Sequence, residues 1–169
     1  MKENPKEVKA LWQAGLHEYD EVQGIQWEWQ AVDGVMTKAP FGKGATGPNP
    51  TDRAKSGTKR SMLTDGAGIP LPLVVDGANR HDCKLLGATL DGIVIARPEP
   101  DKAHPQHLCL DTGYDYLVMR LLVRARSYLD HVRSRGEEKA EKIRIPGHRT
   151  RRWVVERTHS WLNCSVRLL

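Results

Sequence analysis

The chain has 169 residues, 39% of them hydrophobic and 28% charged, with a formal net charge of +5. That is enough for one globular domain with a real core. No run approaches the roughly 20 apolar residues of a membrane helix, and the charged stretch Met1–Glu7 lacks the apolar segment of a secretory signal. The three cysteines, Cys83, Cys109 and Cys164, show no C-x-x-C spacing, which argues against a disulfide framework. Free thiols and a cytoplasmic location without membrane association are expected.

Val8, Leu11, Trp12, Leu16 and Tyr19 keep helical spacing, so residues 6–20 read as a helix that ends before Gly24. Ile25, Trp27, Trp29 and Ala31 then alternate with polar residues, which predicts a strand over 25–33. Asp33 continues the apolar parity, and a carboxylate on that face is costly unless it is paired or binds a metal. From Lys38 to Gly57, prolines and glycines mark a long basic loop. Residues 58–64 and 69–75 pair as a hairpin through Asp65–Gly68. Pro70 and Pro72 put its second strand at an edge or delay the start of its pairing.

Asn79 is placed to cap a helix carrying Leu85, Leu86 and Leu90, with Asp82 at its third position and Asp91-Gly92 at its close. Residues 97–105 read as a loop. His107–Asp111 is a short strand that ends in an acid, and Asp115 is placed to cap a helix carrying Leu117, Val118, Leu121 and Leu122. Residues 127–132 form a further strand, 133–148 a charged loop, and 151–163 the last helix. A meander followed by strand–helix alternation predicts a mixed sheet with flanking helices. His104–Cys109 lacks the second ligand pair of a zinc site.

In the last helix, Val154/Trp161 and Val155/Leu162 form apolar rows, while Arg152, Glu156, His159 and Asn163 share a stripe. A lone Glu between arginines is ordinarily a solvated ion-pair partner. Here two aspartates, Asp33 and Asp111, each end an apolar strand, where open sheets place their chemistry. Asp33 has a bland alternative: the chain holds four Asp-Gly pairs, and such pairs are mostly turns. Together with Glu156, the two aspartates could hold two Mg²⁺ ions roughly 3.5–4 Å apart. Basic residues also cluster: eleven Lys or Arg against five acids from Arg124 to Arg157, and six against one from Lys38 to Arg60. That distribution suits either a phosphate backbone or a solvated face.

Several stretches, in order, resemble the DDE transposases of bacterial insertion sequences. They are Asp33-Gly34, Thr46–Arg53, Gly57–Arg60, Gly77–Asp82, Leu110–Asp115 and Arg152–Asn163, and the resemblance runs from about Leu11 onward. It implies an RNase H-like fold in which antiparallel strands 1–3 are followed by parallel strands. It also implies a DNA transposase that cuts element ends and joins the 3′-OH to target DNA. Asp33, Asp111 and Glu156 are the implied triad for two Mg²⁺ (or Mn²⁺) ions. Lys59, Arg60, Arg149, Arg152, Arg157 and Asn163 are the residues expected to meet DNA. The expected partners are double-stranded element ends and target, bound by a homo-oligomer. Family members often carry a tyrosine three residues before the arginine and a lysine seven after the glutamate; Arg149 and Asn163 stand there. Residues 1–24 are expected to lead in from a missing DNA-binding region and 25–169 to form the catalytic domain, so the chain reads as truncated. The alternatives are an inactive DNA-binding remnant and a nuclease that only hydrolyses.

Overall fold

A computed structural model of the chain describes residues 4–39, 44–132 and 151–165. The first helix, α1 (Pro5–Val22), starts where the Asn4 side chain accepts from the Lys6 N–H and Pro5 opens the first turn. Next come β1 (Trp29–Lys38), the two-residue β2 (Gly47–Pro48), β3 (Ser56–Thr64) and β4 (Pro70–Gly77). Helix α2 (Asp82–Asp91), β5 (His107–Leu110), a 3-10 turn (Thr112–Tyr114), α3 (Leu117–Arg124), β6 (Leu129–Val132) and α4 (Trp153–Ser165) follow. No described helix is long and apolar enough to cross a membrane.

The strands form one sheet in the order β2-β3-β1-β5-β6, with β4 also on β3. β1 pairs antiparallel with β3 and β3 with β4, whereas β1 pairs parallel with β5 and β5 with β6. An antiparallel meander extended on its first strand by two parallel strands is the RNase H-like arrangement that the resemblance implies. β4 lies at the edge beside β3, where the missing N–H groups of Pro70 and Pro72 are tolerated.

Alternation along the strands builds two cores. One face sends Val32, Leu63, Leu108 and Leu110 into the larger core, against Leu16 of α1, Leu86 and Leu90 of α2, and Val123 of α3. The other sends Ala31, Met62 and Cys109 against Val154 and Val155 of α4. Each such buried aliphatic side chain contributes about 1.5–3 kcal/mol. At the foot of the sheet the Tyr128 hydroxyl donates to Gln30 Oε1 (2.9 Å), which pairs these two buried side chains.

Four local expectations change. The first strand begins at Trp29 and runs through Asp33-Gly34 to Lys38, because its pairing with β3 continues to Gly57. Asp33-Gly34 is therefore neither a turn nor a strand end. Helix α2 is capped by His81, whose Nδ1 accepts from the Cys83 N–H (3.4 Å), which leaves Asp82 as its first residue. Asp115 does not cap α3; Tyr116 precedes that helix, and Asp115 pairs with Arg120 (2.8 Å). The region read as one loop from Lys38 to Gly57 contains β2 and the first residues of β3.

Gly34 is required by a close approach. A Cβ there would fall 2.1 Å from Asp82 Oδ1, and Asp82 Oδ2 is held by the buried Lys59 ammonium at 3.0 Å. The carboxylate must shift to admit a Cβ, and the shift strains that pair. Gly34→Ala should cost about 1–3 kcal/mol, read as a lower urea midpoint at unchanged slope.

Candidate active site

Three carboxylates reach the α4 side of the sheet from three elements. Asp33 shares the parity of Trp29 and Ala31 on β1, whose partners are Val154 and Val155. Asp111 follows Leu110 at the end of β5 and accepts from the Thr112 N–H (2.8 Å), opening the 3-10 turn. Glu156 stands in the first turn of α4.

A single guanidinium links two of them. Arg152, in the turn before α4, donates from Nη1 to Asp111 Oδ1 and lies 3.1 Å through Nη2 from Glu156 Oε1. The Asp111 and Glu156 side chains are 49% and 50% exposed. Ion pairs that wet contribute only about 0.2–1 kcal/mol each, so this bridge orders the acids without anchoring the fold. Asp33 is more buried. Burial raises its carboxyl from 3.8 to about 6, against the pull of Arg152 and the Gly34 N–H, and the charges of Glu156 and Asp111 push the same way as burial.

Helix α4 is seated by polar contacts as well as by Val154 and Val155. His159 Nε2 lies 3.3 Å from the Asp33 carbonyl oxygen. A carbonyl only accepts, so Nε2 carries the proton. Burial, together with the nearby Arg60, lowers the pKa of His159 and keeps the ring neutral. The buried Thr158 hydroxyl lies 2.7 Å from the Gly68 carbonyl, on which it can donate. Gly68 sits in the β3–β4 turn at φ +93°, where a Cβ would also meet Arg157 Nη2 at 2.7 Å. Asp65 holds that turn by accepting from the Gln26, Ala67 and Ile69 N–H groups.

The residues expected to meet DNA divide by place. Arg152 sits at the acids. Arg60 lies on the α4 face of β3 and hydrogen-bonds through Nη2 to Asn163 Oδ1. Lys59 departs from the expectation of a phosphate contact: strand alternation turns it to the opposite face, where its side chain is 8% exposed and paired with Asp82. Arg157 is turned inward as well. Its guanidinium lies 4.5 and 4.6 Å from the Trp153 and Trp161 rings, and Nη2 donates to the Ala67 carbonyl (2.5 Å). Arg149 and the charged loop lie outside the described residues.

Trp161, expected in an apolar row with Val154, is 58% exposed. The next residue, Leu162, is the one that packs against the small core. His159 shares the stripe with Glu156, but spacing alone could not distinguish a buried strap onto β1 from a surface polar residue. The contact of Asp82 with Gly34 carried no signal in the sequence, because it joins positions 48 apart.

Three carboxylates are the oxygen donors that a hard divalent cation takes, and their mutual repulsion around Asp33 suits a cation between them. The chemistry of the set fits. As they stand, with Arg152 across two of them, no three acidic, His or Cys side chains among the described residues are arranged to hold a metal ion.

Fold and site together define an RNase H-like protein with a carboxylate triad on the face of the sheet that its last helix covers. The family model of the transposase DDE domain matches residues 29–168. The chain belongs to that family. It is 37% identical over 138 residues to a Burkholderia cepacia protein assigned as a transposase for insertion sequence element IS402. That alignment covers 79% of this chain and 62% of the relative, so the chain spans less than two thirds of the relative's length. Among solved structures, the catalytic domain of Mos1 mariner transposase aligns at 8% identity and TM-score 0.42, over 94% of this chain and 90% of that one. The Mos1 mariner paired-end complex with Mn aligns at 11% identity and TM-score 0.41, over 77% and 43%.

Asp33 gives the site a pH signature. Its carboxyl holds a proton more tightly folded than unfolded, so this group contributes stability below the ordinary carboxylate range that is lost as pH rises through about 6. In chelator, the stability of the wild type relative to Asp33→Asn should fall between pH 4 and 7 in urea denaturation; a flat difference would show that Asp33 titrates normally.

Proposed function

We propose that this chain is the catalytic part of an insertion-element transposase, cutting DNA at element ends and joining the freed 3′-OH to target DNA. The observation that carries the reading is that Arg152 bridges Asp111 and Glu156 while Asp33 stands near enough to feel the charges of all three. Membership of the transposase DDE domain family supports it. Residues 25–169 would form the catalytic domain and 1–24 the lead-in from a DNA-binding region, in a protein that works on bacterial DNA in the cytoplasm as a homo-oligomer.

Asp33, Asp111 and Glu156 would hold two Mg²⁺ or Mn²⁺ ions. When bound, the two ions would supply Lewis acidity on both the attacking and the leaving side of a phosphodiester. The protein's own groups do the rest. The rigid pairing of β1 with β3 and β5 fixes Asp33, and His159 holds the backbone beside it. The turn after β5 aims Asp111, and α4 brings up Glu156. Arg152 and Arg60, with Asn163 beside it, present cationic and polar groups to phosphate oxygens on the same side. Arg149 would add to that surface. In the first step water displaces the 3′ oxygen at phosphorus; in the second, that 3′-OH displaces a 3′ oxygen of the target strand.

Incubation with labelled duplexes of the DNA that flanks the reading frame, in Mg²⁺ or Mn²⁺, should yield strands nicked at an inverted repeat and then joined. Asp33→Asn, Asp111→Asn and Glu156→Gln should each reduce nicking about 1000-fold, the scale of several kcal/mol of lost charge stabilisation. Duplex binding that weakens with salt but never leads to cleavage would mark an inactive DNA-binding remnant.

A further inference from the structure

We propose that Arg152 is a displaceable cation that occupies the acidic site in the DNA-free protein and couples metal loading to the arrival of a DNA phosphate. This rests on the reading of Asp33, Asp111 and Glu156 as metal ligands.

One positive charge spans two of the three carboxylates, from the turn after β5 and from α4. The Arg152 side chain is only 19% exposed, whereas both acids are about half exposed. The guanidinium therefore fills the space between acids that water can still reach. It cannot lose its proton, so its charge must move off the acids before a cation can take their oxygens. Two exchanges then favour one another: a hard cation takes over the carboxylate oxygens, and another anion takes the guanidinium. The planar fork of an arginine fits a phosphate as well as a carboxylate. Its place in the turn ahead of α4, on the side of the sheet that also carries Arg60 and Asn163, sets it where such a phosphate would arrive.

Arg152 thus has two states, on the acids or on DNA, and only the second leaves the acids free. A cation and a duplex that both favour the second state raise each other's affinity by the same factor. Without DNA two of the three acids are bridged and part of their charge is offset, and a cation enters poorly. With a backbone phosphate seated, the acids are released to take it. The positioning role of Arg152 is then distinct from any phosphate contact: it sets when the metal binds.

The test is Mn²⁺ affinity by electron paramagnetic resonance on the full chain, with and without the terminal-repeat duplex. Without DNA, Arg152→Gln should bind Mn²⁺ about tenfold more tightly than the wild type, within the usual 5–150-fold range of such coupling. The duplex should tighten Mn²⁺ binding to the wild type by a similar factor and leave Arg152→Gln nearly unchanged. Arg152→Lys keeps the charge but cannot fork across both acids, so it should fall between the two; it decides the matter if the Gln variant fails to fold. Asp33→Asn should lose the signal, which places the ion at the triad. Equal or weaker Mn²⁺ binding by both Arg152 variants without DNA overturns the latch while leaving the metal reading intact. Absence of binding to every protein, with or without duplex, overturns both.

Discussion

The alternation of side chains along β1 is the constraint on which the rest of this protein depends. Val32 points into the larger core and Ala31 into the smaller one. The next residue, Asp33, therefore has no freedom of direction: it must face α4. The residue after it must face α2, where the Asp82 carboxylate crowds any side chain. A slip of one position would send Val32 to the α4 side and Asp33 into the larger core. Because β1 is flanked by β3 on one side and β5 on the other, its register is held twice.

Placing three acids on one face carries an electrostatic cost, and the structure distributes it unevenly. Asp111 and Glu156 stay half in water and share a guanidinium. Asp33, the most enclosed, bears the burden, as its raised pKa records. A site that repels itself is poorly optimised for stability and well suited to a cation. The neutral His159 strap and the Thr158 hydroxyl fasten α4 to the sheet without adding charge to that balance. A second cationic strap there would compete with Arg152 for the same carboxylates.

Much of the architecture was legible in the residues. Alternating apolar positions revealed the strands, Pro70 and Pro72 the edge, and the spacing of Arg152, Glu156, His159 and Asn163 the stripe that α4 turns toward β1 and β3. Element ends were less legible, since a strand stops where its partner stops. That is why β1 runs on through Asp33-Gly34, a pair that reads as a turn. Basic residues misled for a related reason. Lys59 and Arg60 look like one patch in the chain, yet neighbours on a strand face opposite ways, so one is buried against Asp82 and the other lies beside Asn163.

What the sequence by itself determined is the inventory: three acids, each carried by an element whose pattern is local, and an arginine four residues before the last of them. Periodicity is a property of short stretches, so such stretches announce themselves. What only the tertiary structure decided is the company those groups keep. That Arg152 reaches Asp111, that His159 reaches the backbone of Asp33, and that Asp82 crowds Gly34 are contacts across dozens of residues. They arise because sheet pairing and two packed cores bring distant segments within hydrogen-bond range, and no spacing along the chain encodes that distance.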